Sequence, residues 1–171
     1  MVFSSAIFLF IFLPVFLSVY YLIPFKYRSL WILMGSLTFY GWWRVDFMFV
    51  MLAVILWSYL VAWNMIRAQK ATGVAEGEDV PHTKLEKRWL FAGVTLNLAS
   101  LGFFKYFNFG IDSMNMLLKD AGFQSIEAMR ILLPIGISFY IFHAISFLVD
   151  IYRRDAKLPK NFFDFAAFIT L

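Results

Sequence analysis

Polarity along the chain is laid out in long blocks. Uncharged, mostly apolar residues run from Ser5 to Ile23, Ser29 to Trp43, Phe47 to Ile66, Trp89 to Phe104 and Ile131 to Val149. Clusters of charge separate them. A helix rises about 1.5 Å per residue, so roughly 20 apolar residues cross the ~30 Å hydrocarbon core of a bilayer. The pattern predicts an all-α, polytopic transmembrane helical bundle of about five spans. Phe162 to Leu171 begins a sixth apolar run with no closing signal, as expected of an incomplete fold.

Details within the blocks refine this. Met1 to Phe25 has no charged side chain, so it lacks the basic start of a cleaved signal and reads as a retained span. Pro14 predicts a kink in it. Ser29–Trp43 is short for a span and ends in the belt Tyr40-Gly41-Trp42-Trp43-Arg44; a buried or re-entrant helix is the alternative. Phe47–Ile66 is bounded by Asp46 and Arg67. Residues 67–88 form a polar loop with Gly73, Gly77, Pro81 and the acidic patch Glu76, Glu78, Asp79, and His82 reads as an exposed residue within it. Lys105 and Asn108 lie among aromatic residues, either as interfacial groups or at the mouth of a polar cavity. Met114, Leu117, Leu118 and Ala121 recur at helical spacing and predict a separate short surface helix ending near Gly122.

The Ile131–Arg154 stretch departs most from a plain anchor. Pro134 and Gly136 loosen its start. Ser138, Tyr140, His143 and Ser146 interrupt its apolar run, and Asp150, Arg153 and Arg154 close it. Polar groups at bilayer depth are costly and face protein or a water-filled cavity. On a helix Tyr140, His143 and Phe147 share a face. His143 fits first a buried histidine bonded to a neighbouring helix, and second a proton-transfer or substrate-path role.

Composition agrees with the pattern. The chain is 62% hydrophobic, 21% aromatic and only 15% charged, against about 45–50% apolar and about 25% charged in soluble domains. Residues 1–171 read as part of a single membrane domain with the lipid bilayer as its medium. Without cysteine there is no disulfide or thiolate site, and two histidines make no zinc site, so no metal is expected. The net charge of +4 comes from loop lysines and arginines and does not point to nucleic acid. If all five spans cross, the first, third and fifth loops hold eleven basic residues and the second and fourth hold four. That asymmetry places the 67–88 loop in the cytoplasm and the N-terminus outside. No phosphate-binding glycine loop, serine elbow or paired carboxylates occur. On physics alone, a transporter-like or structural subunit and a membrane enzyme stay equally open.

Five blocks add a resemblance: MVFSSAIFLFIFLPVFLSVYYL, FYGWWRVDF, GFFKYFNFGIDS, LLPIGISFYIFHAISFLVDIYRR and NFFDFAAFITL. In this order they resemble the N-terminal part of the membrane-bound O-acyltransferase (MBOAT) family, in its alginate-type members. The resemblance implies an incomplete MBOAT fold in a bacterial inner membrane, and an enzyme that moves acetyl groups across it for O-acetylation of an exopolysaccharide, alginate first. Cellulose and teichoic acid are alternative acceptors. Acetyl-CoA is the implied acyl donor, with no bound cofactor, and periplasmic acetyltransferase partners are implied, reaching the polysaccharide indirectly. The family's hallmark histidine lies beyond this sequence, so no catalytic residue is assigned and the fragment alone is expected to be inactive. Ser138, Tyr140 and His143 become substrate-channel candidates. Asp150 and Arg153 become a candidate structural ion pair.

Overall fold

The computed structural model describes residues 6–71, 82–120, 124, 126, 130–159 and 161–170. Regular structure among them is entirely helical. Leu13–Leu22 (α1), Arg28–Trp43 (α2), Val45–Ala71 (α3), Lys84–Asp120 (α4), Ile137–Arg153 (α5) and Phe162–Thr170 (α6) follow in order. Residues 72–81, with the acidic patch of the expected 67–88 loop, lie outside the described residues; the ends of that loop are helical instead, Arg67–Ala71 in α3 and Lys84–Arg88 in α4.

Two helices, α3 and α4, are long and apolar enough to cross a membrane. α3 buries Met51, Ile55, Ser58, Ala62 and Met65, a four-three-four-three spacing that keeps one narrow stripe turned inward. α4 crosses it where Gly93 leaves no room for a side chain. A Cβ there would lie 2.7 Å from Leu148 Cδ1 on α5 and 2.9 Å from Val61 Cγ1 on α3. One turn along, Asn97 donates to Ser58 Oγ (3.2 Å), and both side chains are buried. This bond satisfies two polar groups that would be expensive to leave unpaired at this depth.

The helix ends sort into two groups. Gln69, near the end of α3, donates to the Ile151 carbonyl near the end of α5. Arg154, just past α5, lies 3.9 Å from Glu86 in the first turn of α4. At the opposite end, Tyr40 of α2 donates to the Ile135 carbonyl ahead of α5, and Phe39 packs against Phe8. Successive helices therefore run in alternating directions, as the sequence pattern requires if every apolar block crosses.

Three further features differ from the sequence expectation. The surface helix expected near Met114 is not separate: α4 continues for 37 residues, about 55 Å. Gly102 and Gly110 face open space and break nothing. Its distal half is joined instead to the chain ahead of α5. Asn108 accepts from the Ile131 N–H and donates to the Ile131 carbonyl, and Asn115 does the same with Ile126. The fifth helix starts at Ile137 and not Ile131, because Gly136 adopts φ +75°, a left-handed conformation that an N-terminal helical residue cannot share. Finally, Pro14 acts on the turn before it. It lacks the N–H that the Phe10 carbonyl would accept from, and Phe8–Phe12 just before it widens into a π-helical turn in which Leu13 N–H donates to Phe8 O.

Candidate functional site

A cleft of about 550 Å³ lies between α1, α2, the start of α5 and the end of α6. Its walls are mainly aromatic and aliphatic, with Phe8, Phe12 and Phe16 spaced one turn apart along one side. Phe12 and Phe16 stack with ring centroids 6.0 Å apart, and Phe16 stacks on Trp31 at 5.8 Å. Gly35 is needed opposite them, since a Cβ would come within 2.3 Å of the Phe16 ring.

Polar side chains line the cleft along its length, Tyr20 at one end, Ser36 and Thr170 between, and Tyr40 and Tyr140 at the other. Tyr40 Oη donates to Ile135 O at 2.8 Å and lies 2.8 Å from where a Gly136 Cβ would stand. Gly136 thus meets two demands at once: a positive φ and close passage of the Tyr40 hydroxyl. Beside them Tyr140 is almost fully buried, and its hydroxyl has no hydrogen-bond partner among the described residues. Leaving such a group unpaired costs about 1–3 kcal/mol. Ser36 Oγ donates to the Thr170 carbonyl at 3.3 Å, in the middle of α2.

Of the three channel candidates, Tyr140 lines this cleft, and Ser138 and His143 do not. Ser138 is half-buried as the second residue of α5. His143 sits between Phe139 and Phe168, with ring centroids 5.6 and 4.6 Å away. Its buried Nδ1 bonds to nothing among the described residues, so the neighbouring-helix hydrogen bond expected for it is not made. The Asp150–Arg153 ion pair is also not formed. Arg153 pairs with Asp155 at 3.3 Å on the exposed surface. Arg154 adopts φ 66° and caps α5, and the Asp150 carbonyl accepts from the Asp155 and Ala156 N–H groups. The tight turn that follows brings Asp155, not Asp150, to Arg153.

A second polar cluster was not foreseen. Glu86 is fully buried in the charged first turn of α4, ahead of the apolar run that begins at Trp89. Thr83 and Glu86 form a reciprocal cap: Thr83 N–H and Oγ1 donate to Glu86 Oε1 at 3.1 and 2.7 Å, and Glu86 N–H donates to Thr83 Oγ1 at 3.2 Å. His82 Nδ1 is 3.4 Å from Glu86 Oε2, and its ring stacks on Tyr152 at 3.9 Å. His82 is therefore a packed residue and not an exposed one, because the end of α5 covers it. Burial acts to raise the Glu86 carboxyl. The bonds from Thr83 and His82 and the charge of Arg154 outweigh it and hold the group below the ordinary carboxylate range. The Thr-x-x-Glu spacing before an apolar run was legible in the sequence; the approach of α5 was not. Asn108, considered for a cavity mouth, instead holds the Ile131 backbone.

Neither the cleft nor the cluster carries a group of residues able to hold a metal among those described. The comparisons with known proteins add identity where geometry stops. All 171 residues align at 46% identity with a probable alginate O-acetylase of Pseudomonas putida, and at 44% with one of Azotobacter vinelandii. The chain is similar to the alginate O-acetylases over its whole length. It spans about a third of the length of these relatives (33% and 32%), in line with the reading of it as one part of a longer protein. A more distant similarity, 29% over 166 residues, covers 94% of the chain and 28% of a peptidoglycan O-acetyltransferase of Helicobacter pylori. No family model and no solved structure matches the chain.

Proposed function

We propose that the chain forms the N-terminal part of a membrane O-acetyltransferase that passes acetyl groups across the bacterial inner membrane for O-acetylation of an exopolysaccharide, alginate. The observation that carries this is the similarity to alginate O-acetylases along every part of the chain. Acetyl-CoA is the donor in this reading, and periplasmic acetyltransferases complete the transfer to the polymer. The protein crosses that membrane several times in this reading, with the N-terminus outside. The alternating helix directions support that arrangement, and so does the concentration of basic residues at the end where α3 stops and α4 starts.

Within this scheme the bundle is a scaffold. Its role is to hold the wall formed by Pro134–Tyr140 against α1 and α2, and the acyl-transferring residue belongs to the remainder of the enzyme. The 171 residues alone carry no transfer activity. Supplying the complete gene to an alginate-producing strain deleted for it should restore acetyl esters on the secreted polymer, read by ester content or NMR. Unchanged acetylation between the deleted and restored strains would refute the reading.

A second acceptor is favoured by one observation, the similarity to a peptidoglycan O-acetyltransferase. Acetyl release from purified peptidoglycan of the same strains separates the two. Orientation is tested by Glu78→Cys, which introduces a single thiol because the chain has no cysteine. Labelling by a membrane-impermeant reagent in intact cells would overturn the cytoplasmic placement of the loop.

A further inference from the structure

α5 is covered on one side only. Its buried residues, among them Tyr140, Ala144, Phe147 and Ile151, fall on the side that meets α3, α4 and α6. The other side carries Ser138, Phe139, Phe142, His143 and Ser146, which helical spacing keeps together. Phe139 and Phe142 are 66% and 58% exposed, and Ser146 is exposed as well. α6 covers one flank, where Phe168 meets the His143 ring at 4.6 Å.

Lipid would satisfy the two phenylalanines. It would not satisfy the polar groups beside them. Ser138 to Ser146 lies inside the uncharged run that ends at Val149, at bilayer depth in the reading given above. The Ser138 and Ser146 hydroxyls form no hydrogen bond among the described residues, and neither does the His143 ring. Elsewhere Ser18, Thr38 and Asn64 donate to the carbonyl one turn back in their own helices, and Asn97 donates to Ser58 across helices. An ionisable side chain held against hydrocarbon is costly, so such residues face the interior of a bundle. The aromatic rings that flank each polar group on α5 suit a packed helix interface, where Ser and His bond across helices, better than a water-filled path. There is ample chain to supply the other half of that interface, since about two-thirds of each alginate O-acetylase lies outside the part matched here.

We infer that this side of α5 is the surface on which the remainder of the enzyme docks. A membrane helix from outside these 171 residues lies along Phe139, Phe142 and Ser146 and brings a hydrogen-bonding side chain level with His143. The inference rests on the reading of the chain as one part of a membrane O-acetyltransferase and deepens it, because it sets α5 inside the whole protein and not at its lipid surface. It is independent of which polymer is acetylated.

The test uses the protein expressed from its complete gene, in its membrane. A benzophenone amino acid replaces Phe142, and after irradiation the adducts are identified by peptide mass spectrometry. The expected product has the mass of one chain and joins position 142 to a peptide from outside residues 1–171. The same probe at Phe139 should capture the same segment, and it answers the question if the first variant fails to accumulate. Adducts to phospholipid at these positions overturn the inference by placing α5 against lipid. A product of twice the chain mass overturns it by making a second copy the occupant, and a peptide from within residues 1–171 does so as well. No adduct at either position also overturns it, as expected of a water-filled path. The His143 bond has a test of its own sign. His143→Leu should unfold with an equilibrium constant about fivefold larger than His143→Gln, the effect of one hydrogen bond. If His143→Leu is instead as stable or more stable, no partner meets the ring. Protein that alkaline carbonate strips from membranes fails the membrane reading itself and this surface with it, whereas lipid adducts leave that reading standing and refute this one alone.

Discussion

Glu86 gives the most demanding test of how this bundle is held at one end. Its carboxylate is fully buried and receives two bonds from Thr83, one contact from His82 and the charge of Arg154 at 3.9 Å. The Arg154 side chain is itself only 9% exposed. Glu86→Ala removes the cap and one partner of a buried ion pair. Losing such a partner costs about 3–5 kcal/mol, and the 3.9 Å separation argues for the lower limit, so about 3 kcal/mol is expected. For a chain of this size that corresponds to a fall of about 6–12 °C in Tm. Thr83→Ala, which removes only the capping hydroxyl, should cost about 1 kcal/mol. The assay is thermal unfolding in detergent by tryptophan fluorescence, with Arg154→Ala and the double variant completing a cycle. The pair should show coupling of at least about 1 kcal/mol. Additive single effects, or a loss under about 1 kcal/mol for Glu86→Ala, would show that the carboxylate is solvated and that α4 and α5 are not tied there. The pH dependence has a definite sign. The folded carboxyl titrates below its ordinary 4.5, so its contribution is complete above that pH and is lost as pH falls through the folded value.

Four further expectations can be measured the same way. Gly93→Ala pushes a methyl group into Leu148 and Val61 and should cost about 1–3 kcal/mol, with partial recovery on adding Val61→Ala. Gly136→Ala combines a φ of +75° with contact to the Tyr40 hydroxyl; it should cost about 1–3 kcal/mol, and Tyr40→Phe in the same chain should return only the contact part. Asn108→Ala frees both peptide groups of Ile131, and faster amide exchange at Ile131 with little change at Asn97 would identify a local release. Arg153→Ala should change stability by less than about 1 kcal/mol, because its pair with Asp155 is exposed; a loss as large as that of Arg154→Ala would contradict this.

The similarity to O-acetylases and the structure answer different questions. The similarity covers the whole chain and about a third of each of these alginate O-acetylases, so it speaks to family and not to the work of particular residues. The structure shows what this part is built to do: bring α3, α4 and α5 together around Gly93 and keep a long cleft beside α1. Tyr140 was legible as a polar residue on an apolar helix, and it does line the cleft. His143 drew attention for the same reason and is instead packed between two phenylalanines. Residue type told the two apart poorly, because they lie only three positions apart on one helix.

By itself the sequence determined the helical class, the apolar blocks, and the break at Pro134 and Gly136. All of these follow from local chemistry: hydropathy over some 20 residues, and a proline without an N–H. Tertiary structure decided that α4 runs unbroken past Met114, that Asn108 and Asn115 hold the returning chain, that His82 is covered by Tyr152, and that Arg153 pairs with Asp155 and not Asp150. Each of these depends on which surface meets which across tens of residues. A hydropathy pattern specifies that an apolar face must be covered, but many partners satisfy it equally, and only packing selects one.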